Sequence, residues 1–218
     1  MNSIVFFDID HTIVNGSTGL FVLSQMRREK QISPNDFQKA IYYALLYKIG
    51  MLPYEQAIRW IYQVCGKIGI DELIRTTDIV YEKYVLPNIF SEAIDAIESY
   101  RNEGIFICLA TASSDYIANK IKVQVKADHF ICNKSKIRDD HLTDELSHPI
   151  CYGIGKKILA QQVAYEMGLN LRECIFYSDS ITDLPLLAAV GKPVIVNPHR
   201  MANWYKRLKN YGVVQWKK

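Results

Sequence analysis

The arrangement of apolar runs limits this chain more than any other feature. Five runs are short and continuous: Ile4-Val5-Phe6-Phe7, Ile105-Phe106-Ile107-Cys108-Leu109-Ala110, His129-Phe130-Ile131-Cys132, Cys174-Ile175-Phe176-Tyr177 and Pro193-Val194-Ile195-Val196. A strand with one wet face alternates apolar and polar residues. A strand buried on both faces, as in a parallel sheet, reads as an unbroken run. Helical patterns lie between the later runs. Residues 91–101 put Ala93, Ile94 and Ile97 on one stripe and stop at Gly104; residues 156–167 stop at Gly168, and residues 184–190 at Gly191. Strands alternating with helices predict an α/β fold, a parallel sheet with crossover helices on its faces.

The stretch between the first run and the second is too long for a crossover. It covers about 90 residues, against about 30 for a usual strand–helix–strand unit. Its pattern is helical. One helix begins at Asp36-Phe37-Gln38-Lys39-Ala40-Ile41, a second covers 54–62 behind Pro53, a third covers 71–84, and Pro87 closes the region. Residues 15–85 are therefore expected to form an α-helical insertion over the edge of the sheet, with 1–14 and 86–218 making the core. The aromatic residues of the insertion, Tyr42, Tyr43, Tyr47, Tyr54, Trp60 and Tyr62, are assigned mainly to packing.

Charge and composition bound the partners. A net charge of +3 over 218 residues is too mild to argue for nucleic acid, and the one dense basic run, Lys206-Arg207-Leu208-Lys209, reads as a solvated helix face. With 49% hydrophobic and 22% charged residues, the chain has ample material for a core. No apolar segment approaches the roughly 20 residues needed to span a bilayer. The N-terminus lacks the charged-then-apolar layout of a signal peptide. The five cysteines (Cys65, Cys108, Cys132, Cys151, Cys174) are odd in number and include no C-x-x-C pair. That pattern argues against a zinc site or a disulfide framework, and for a reducing cytoplasm.

Asp8-Ile9-Asp10 closes the first run. In an extended chain, carboxylates at i and i+2 share a face, and each makes the other costlier to desolvate. A solvated loop would answer that. So would a magnesium-type cation at the carboxyl edge of the sheet, where open α/β folds keep their ligands. Three further features follow strands. Ala110-Thr111-Ala112-Ser113-Ser114-Asp115 offers a hydroxyl and small residues that bring backbone N–H groups up to an anion, although a Ser/Thr helix cap accounts for it too. Tyr152-Gly153-Ile154-Gly155-Lys156-Lys157 opens a helix with a lysine that is either solvated or a point charge for a phosphate. Tyr177-Ser178-Asp179-Ser180-Ile181-Thr182-Asp183-Leu184-Pro185 adds two carboxylates to the same edge. Together they supply oxygen ligands for a cation, and a Thr and a Lys for phosphate oxygens. Phosphoryl transfer is mostly positioning and charge neutralisation, and this inventory suits it.

The set Asp8-Ile9-Asp10-His11-Thr12, Thr111, Lys156 and Asp179 with Asp183 resembles the haloacid dehalogenase (HAD) superfamily. Within it, the chain is similar to the phosphoserine phosphatase-like phosphatases, whose helical cap is inserted after the first motif. The resemblance covers nearly the whole chain. It implies a Rossmann-like core with a parallel sheet flanked by helices, and a magnesium (Mg2+)-dependent phosphomonoester hydrolase acting on a small phosphorylated metabolite. By this resemblance Asp8 is the nucleophile that forms an aspartyl-phosphate. Asp10 is general acid and then general base, and its backbone carbonyl joins the Asp8 and Asp179 carboxylates on the metal. Thr111, Ala112 and Lys156 hold the phosphoryl group, and Lys156 also keeps Asp8 ionised. Asp183 supports the metal from behind or through water, and Thr12 shapes the turn after the strand. Lys157 is the rival to Lys156, which the Gly-x-Gly-Lys context favours.

The chain also departs from that branch. The branch carries a Glu shortly after the first motif for the substrate's amino group, and a cap Arg for its carboxylate. Here Asn15-Gly16-Ser17-Thr18 holds no acid, and Ile61 falls at the Arg position with Arg59 nearby on another face. Phosphoserine is therefore expected to be a poor substrate. A small phosphomonoester with a less zwitterionic leaving group is expected to be better, with histidinol phosphate, a polyol phosphate and a lipid-like phosphate all open. A phosphoserine phosphatase proper, a phosphotransferase of the same fold and a catalytically dead binding protein are the alternatives within the family. A phospho-acceptor receiver module is the alternative outside it, but it would carry its acceptor Asp after the third strand and lack both the long insertion and the late D-x-x-x-D.

Overall fold

The computed structural model describes residues 3–48, 51–198 and 211–217. The basic run 206–209 lies outside them, as does the side chain of Tyr47. Along the chain come β1 (Ile4–Phe7), α1 (Thr18–Arg28), α2 (Pro34–Lys48), α3 (Tyr54–Cys65), α4 (Ile70–Val80), α5 (Ser91–Asn102), β2 (Phe106–Ser114), α6 (Asp115–Val125), β3 (His129–Asn133), β4 (Ser135–Arg138) and β5 (His141–Leu146). Then follow α7 (Ile154–Glu166), β6 (Ile175–Ser178), α8 (Leu184–Leu187), β7 (Lys192–Val196) and β8 (Gly212–Val214). Six strands form one sheet in the order β3-β2-β1-β6-β7-β8, and every pair in it is parallel.

β1 lies inside this sheet, paired to β2 through Ile4↔Phe106 and to β6 through Val5↔Ile175. All four of its residues are fully buried, and the alternation of side chains across a strand shows why the run is unbroken. Val5 and Phe7 enter one layer with Ala93 and Ile97 of α5 and Ile117 and Ile121 of α6. Ile4 and Phe6 enter the opposite layer with Ala160 and Val163 of α7 and Leu186 and Leu187 of α8. Both faces are covered, so no polar residue has a place in the run. The result is the Rossmann-like α/β sandwich expected from the sequence.

The chain between β1 and α5 carries α1 to α4, which contribute Leu23, Met26, Ile32, Ala40, Ile58, Tyr62 and Leu73 to a separate apolar cluster. The expected third helix, 71–84, ends as an α-helix at Val80 and continues as a π-helical turn, Tyr81–Val85. The expected helix 184–190 is the four-residue α8. Strand β2 runs four residues past Ala110, with a register shift against β3 between Ala110 and Ser114. Two elements have no counterpart among the apolar runs, β8 and the antiparallel β4–β5 hairpin. The hairpin is mostly exposed and polar, and Glu145 pairs with both Lys136 and Arg138 across it.

This hairpin grips the insertion. Gly69 bridges to His141, Ile70 N–H donates to Asp140 O at 2.9 Å, and the Arg59 guanidinium donates to Asp144 O at 2.8 Å. Gly66, which ends α3, lies so close that a Cβ there would sit 2.0 Å from Leu142 O. Leu142 and Leu146 complete the insertion's apolar cluster. No helix among the described residues is long and apolar enough to cross a membrane.

Candidate active site

Asp8 extends β1 by one ladder bond, Asp8 N–H to Tyr177 O at 2.9 Å, which holds its side chain at the carboxyl edge of the sheet. Lys156 Nζ reaches it from the first turn of α7, donating to Asp8 Oδ1 at 2.9 Å and to Asp183 Oδ2 at 2.8 Å. Ser178 Oγ donates to the same Asp183 oxygen at 2.7 Å. Lys156 is only 3% exposed. Two glycines bring it there. Gly153 adopts φ +53°, and Gly155 packs so tightly that a Cβ would lie 2.0 Å from Ile150 O. Burial works against the ammonium, but the charges of Asp183 and Asp8 more than offset it, so Lys156 stays charged well above its usual range. Burial pushes the Asp8 carboxyl up, Lys156 pulls it back, and Asp183 and Asp179 push it up again. Lys157 is half-buried and joins no ion pair among the described residues, so geometry separates the two lysines.

After β1 the chain turns sharply, with the N–H groups of Thr12, Ile13 and Val14 all directed at Ile9 O and His11 at φ +57°. Thr12 Oγ1 accepts from Asp179 N–H at 3.0 Å. That bond ties the turn after β1 to the loop after β6. Asp10 has partners distinct from those of Asp8. Its Oδ1 accepts from Thr18 N–H at 3.1 Å and Thr18 Oγ1 at 2.7 Å, and its Oδ2 from Ser17 Oγ at 3.2 Å. Because the Thr18 hydroxyl spends its proton on Asp10, Ser113 Oγ, 2.6 Å away, donates to Thr18. Burial raises the Asp10 carboxyl above its ordinary range, and these donors pull it part of the way back.

Thr111 and Ala112 lie inside β2, Thr111 fully buried and Ala112 half-buried. Thr111 Oγ1 accepts from Ser113 N–H at 3.1 Å. Ala112 O accepts from Asn133 Nδ2 at 2.7 Å and from the Tyr54 hydroxyl at 3.3 Å. The Tyr54 ring stacks on Tyr152 with centroids 3.8 Å apart, a contact from α3 to the loop before α7. Tyr62 and Trp60 are packing aromatics, the latter edge-on to Tyr43, while Tyr42 is 56% exposed. Ser17 turns onto Asp10, Ile61 packs against the insertion's cluster, and Arg59 is held by Glu55 at 2.7 Å and by the hairpin.

Asp179 is the carboxylate left over. It is half-buried, and its side chain joins no hydrogen bond or ion pair among the described residues. Burial, chiefly, pushes it up to about 6. Asp179 thus adds a carboxylate next to Asp8 and Asp183, which already share one ammonium. No cluster of three or more His, Cys, Asp or Glu side chains able to hold a metal occurs among the described residues. A cation here would take the Asp8 and Asp179 carboxylates, the Asp10 carbonyl, and water or substrate for the rest. Magnesium fits that description, because it keeps several waters and uses one or two carboxylates plus phosphate oxygens. The surplus negative charge at Asp179 is the local reason a cation fits.

Thr18, Ser113 and Asn133 are the residues at this site that the sequence did not mark for it, and Ser17, marked there only as lacking an acid, is found donating to Asp10. Ser17-Thr18 carries the signal of a helix start. Asn133 is marked only by being polar directly after an apolar run.

A parallel α/β sheet that gathers an Asp pair, a buried lysine and a second Asp pair at its carboxyl edge defines a class of hydrolase. Residues 5–188 match the haloacid dehalogenase-like hydrolases, and the chain belongs to that family. It is 28% identical over 198 residues to a probable phosphatase of Mycobacterium tuberculosis (strain ATCC 25618 / H37Rv), covering 89% of this chain and 69% of that relative. It is 24% identical over 202 residues to a phosphoserine phosphatase of the same organism, covering 91% of this chain and 66% of that one. A crystal structure of a Bordetella pertussis Tohama I protein of unknown function superposes with a TM-score of 0.89 at 23% identity, covering 98% of each chain.

Proposed function

We propose that this protein is a magnesium-dependent phosphomonoester hydrolase working through an aspartyl-phosphate on Asp8. The observation that carries the reading is the separation of environments between Asp8 and Asp10. Two carboxylates two residues apart are held by unrelated partners, an ammonium for one and neutral donors for the other. Carboxylates in unlike environments take unlike roles. Asp8 attacks phosphorus as the anion: burial raises its carboxyl, and Lys156, together with magnesium when bound, would oppose that rise. The bond from phosphorus to the leaving oxygen breaks as the bond to Asp8 forms, and the leaving oxygen takes its proton from Asp10. Asp10 then removes a proton from water, which attacks phosphorus and releases Asp8 and orthophosphate. Lys156 and the Thr111 hydroxyl hold the phosphoryl oxygens, and Asp183 orients Lys156. Magnesium on the Asp8, Asp10 and Asp179 oxygens would neutralise the phosphoryl charge. The relatives named as phosphatases support the reading.

The substrate is a small phosphorylated metabolite without a zwitterionic leaving group, admitted beneath residues 15–85 acting as a lid. Ser17 and Arg59 are both engaged within the protein, and Ile61 brings no charge. The scattered cysteines favour a reducing cytoplasm. Steady-state kinetics on a panel of phosphoserine, histidinol phosphate, polyol phosphates and lipid-like phosphates test the substrate class. Phosphoserine is expected at least about tenfold below the best compound in kcat/KM, because it brings charges that the site does not pair. If phosphoserine ranks first, this reading of the insertion is wrong.

A further inference from the structure

Asn133 is a polar side chain 1% exposed at the end of β3, and the steps above give it no part. Its Nδ2 donates to Ala112 O at 2.7 Å and to the Tyr54 hydroxyl at 3.2 Å, and its Oδ1 accepts from Cys151 N–H at 2.8 Å. Its backbone carbonyl accepts from the Tyr62 hydroxyl at 3.3 Å. One residue thus joins the end of β2, the loop leading to Lys156 and two tyrosines of α3.

Ala112 O belongs to the same planar peptide group as Ser113 N–H, so fixing one end aims the other. The carbonyl is held by Asn133 and by Tyr54, whose hydroxyl donates at 3.3 Å. The N–H end donates to Thr111 Oγ1 at 3.1 Å. A hydroxyl has one proton to give. With Oγ1 already accepting, and with no acceptor for its proton among the described residues, the Thr111 hydroxyl is set as a donor.

We propose that Asn133 and Tyr54 are positioning residues which, through the Ala112–Ser113 peptide, set the Thr111 hydroxyl as a donor to the transferring phosphoryl group. Tyr54 belongs to α3, so the set is complete only while the insertion lies on β2, and closure of the insertion arms the phosphate cradle. The inference rests on the phosphatase reading. Neither residue touches the reacting atoms.

The test uses p-nitrophenyl phosphate, with orthophosphate as competitive inhibitor. Tyr54→Phe keeps the ring that stacks on Tyr152 and removes only the hydroxyl. It is expected to lower kcat and weaken orthophosphate inhibition by about fivefold each, the worth of one hydrogen bond near 1 kcal/mol. In a Thr111→Val background the same change is expected to have no further effect, because the hydroxyl it positions is gone. Asn133→Ala should repeat the pattern, and if it fails to fold, Tyr54→Phe still decides. A packing role predicts equal fold losses in both backgrounds, and that additivity overturns the proposal. So does a Tyr54→Phe protein with unchanged kcat and inhibition. Additive losses in an active enzyme sink the positioning role alone. An unmodified protein that neither hydrolyses the ester nor binds orthophosphate sinks the phosphatase reading with it.

Discussion

Asp8→Asn is expected to abolish hydrolysis, lowering kcat by about 10⁴–10⁶-fold, the range found when an enzyme loses its nucleophile. A neutral amide cannot attack phosphorus, so no covalent intermediate forms. The fold should survive. The amide matches the carboxylate in shape, and the change removes one of the two carboxylates paired with Lys156 while leaving Asp183 paired with it at 2.8 Å. Buried charge in surplus costs stability at sites kept for function, so the melting temperature is not expected to fall. Asp10→Asn gives the contrast. It leaves the nucleophile intact and removes the proton donor, with an expected loss of about 10²–10⁴-fold. Labelled substrate should mark Asp8 in the Asp10→Asn protein and mark nothing in the Asp8→Asn protein. Label on any other residue would show that Asp8 is not the nucleophile.

Removal of divalent metal is expected to be as severe. EDTA should bring turnover of p-nitrophenyl phosphate to background, and magnesium should restore it. The reason lies at Asp179, whose carboxyl is pushed up by burial and by the charges of Asp183 and Asp10, against the pull of His11 and Lys156. A second readout does not depend on turnover. Metal that binds only the folded state stabilises it by about 2.7 kcal/mol at a hundredfold excess over Kd, so magnesium should raise the melting temperature. In an Asp179→Asn protein that rise should shrink. Full activity in EDTA, with no thermal shift on adding magnesium, would remove the cation from the mechanism.

The parts of this molecule that were legible in the sequence share one physical property. Ile4-Val5-Phe6-Phe7 is buried on both sheet faces, so its burial is written in composition alone. The acidic pairs were legible because charge beside an apolar run is costly unless it is used. What escaped depends on contacts between distant segments. The β4–β5 hairpin is polar and exposed, and is held by cross-strand ion pairs and by the insertion it grips. Asn133 gains its meaning from Ala112, Tyr54 and Cys151, none of them its neighbour in the chain. The Gly-x-Gly-Lys context favours Lys156 but leaves Lys157 as its rival. Only the phase of α7 sends the first inward.

The position of β1 also sets the order of events in making the protein. Ile4 waits for Phe106 before one edge is paired, and Val5 waits for Ile175 before the other is. At about 5–20 residues per second, a ribosome takes roughly 9–34 s to pass from β1 to β6. Throughout that time the most apolar strand of the nascent chain has at least one open edge, and contacts of such sequence separation close slowly. The segment that carries the proposed nucleophile is thus made well before it is enclosed, and Ile4-Val5-Phe6-Phe7 keeps an unpaired edge until β6 is in place.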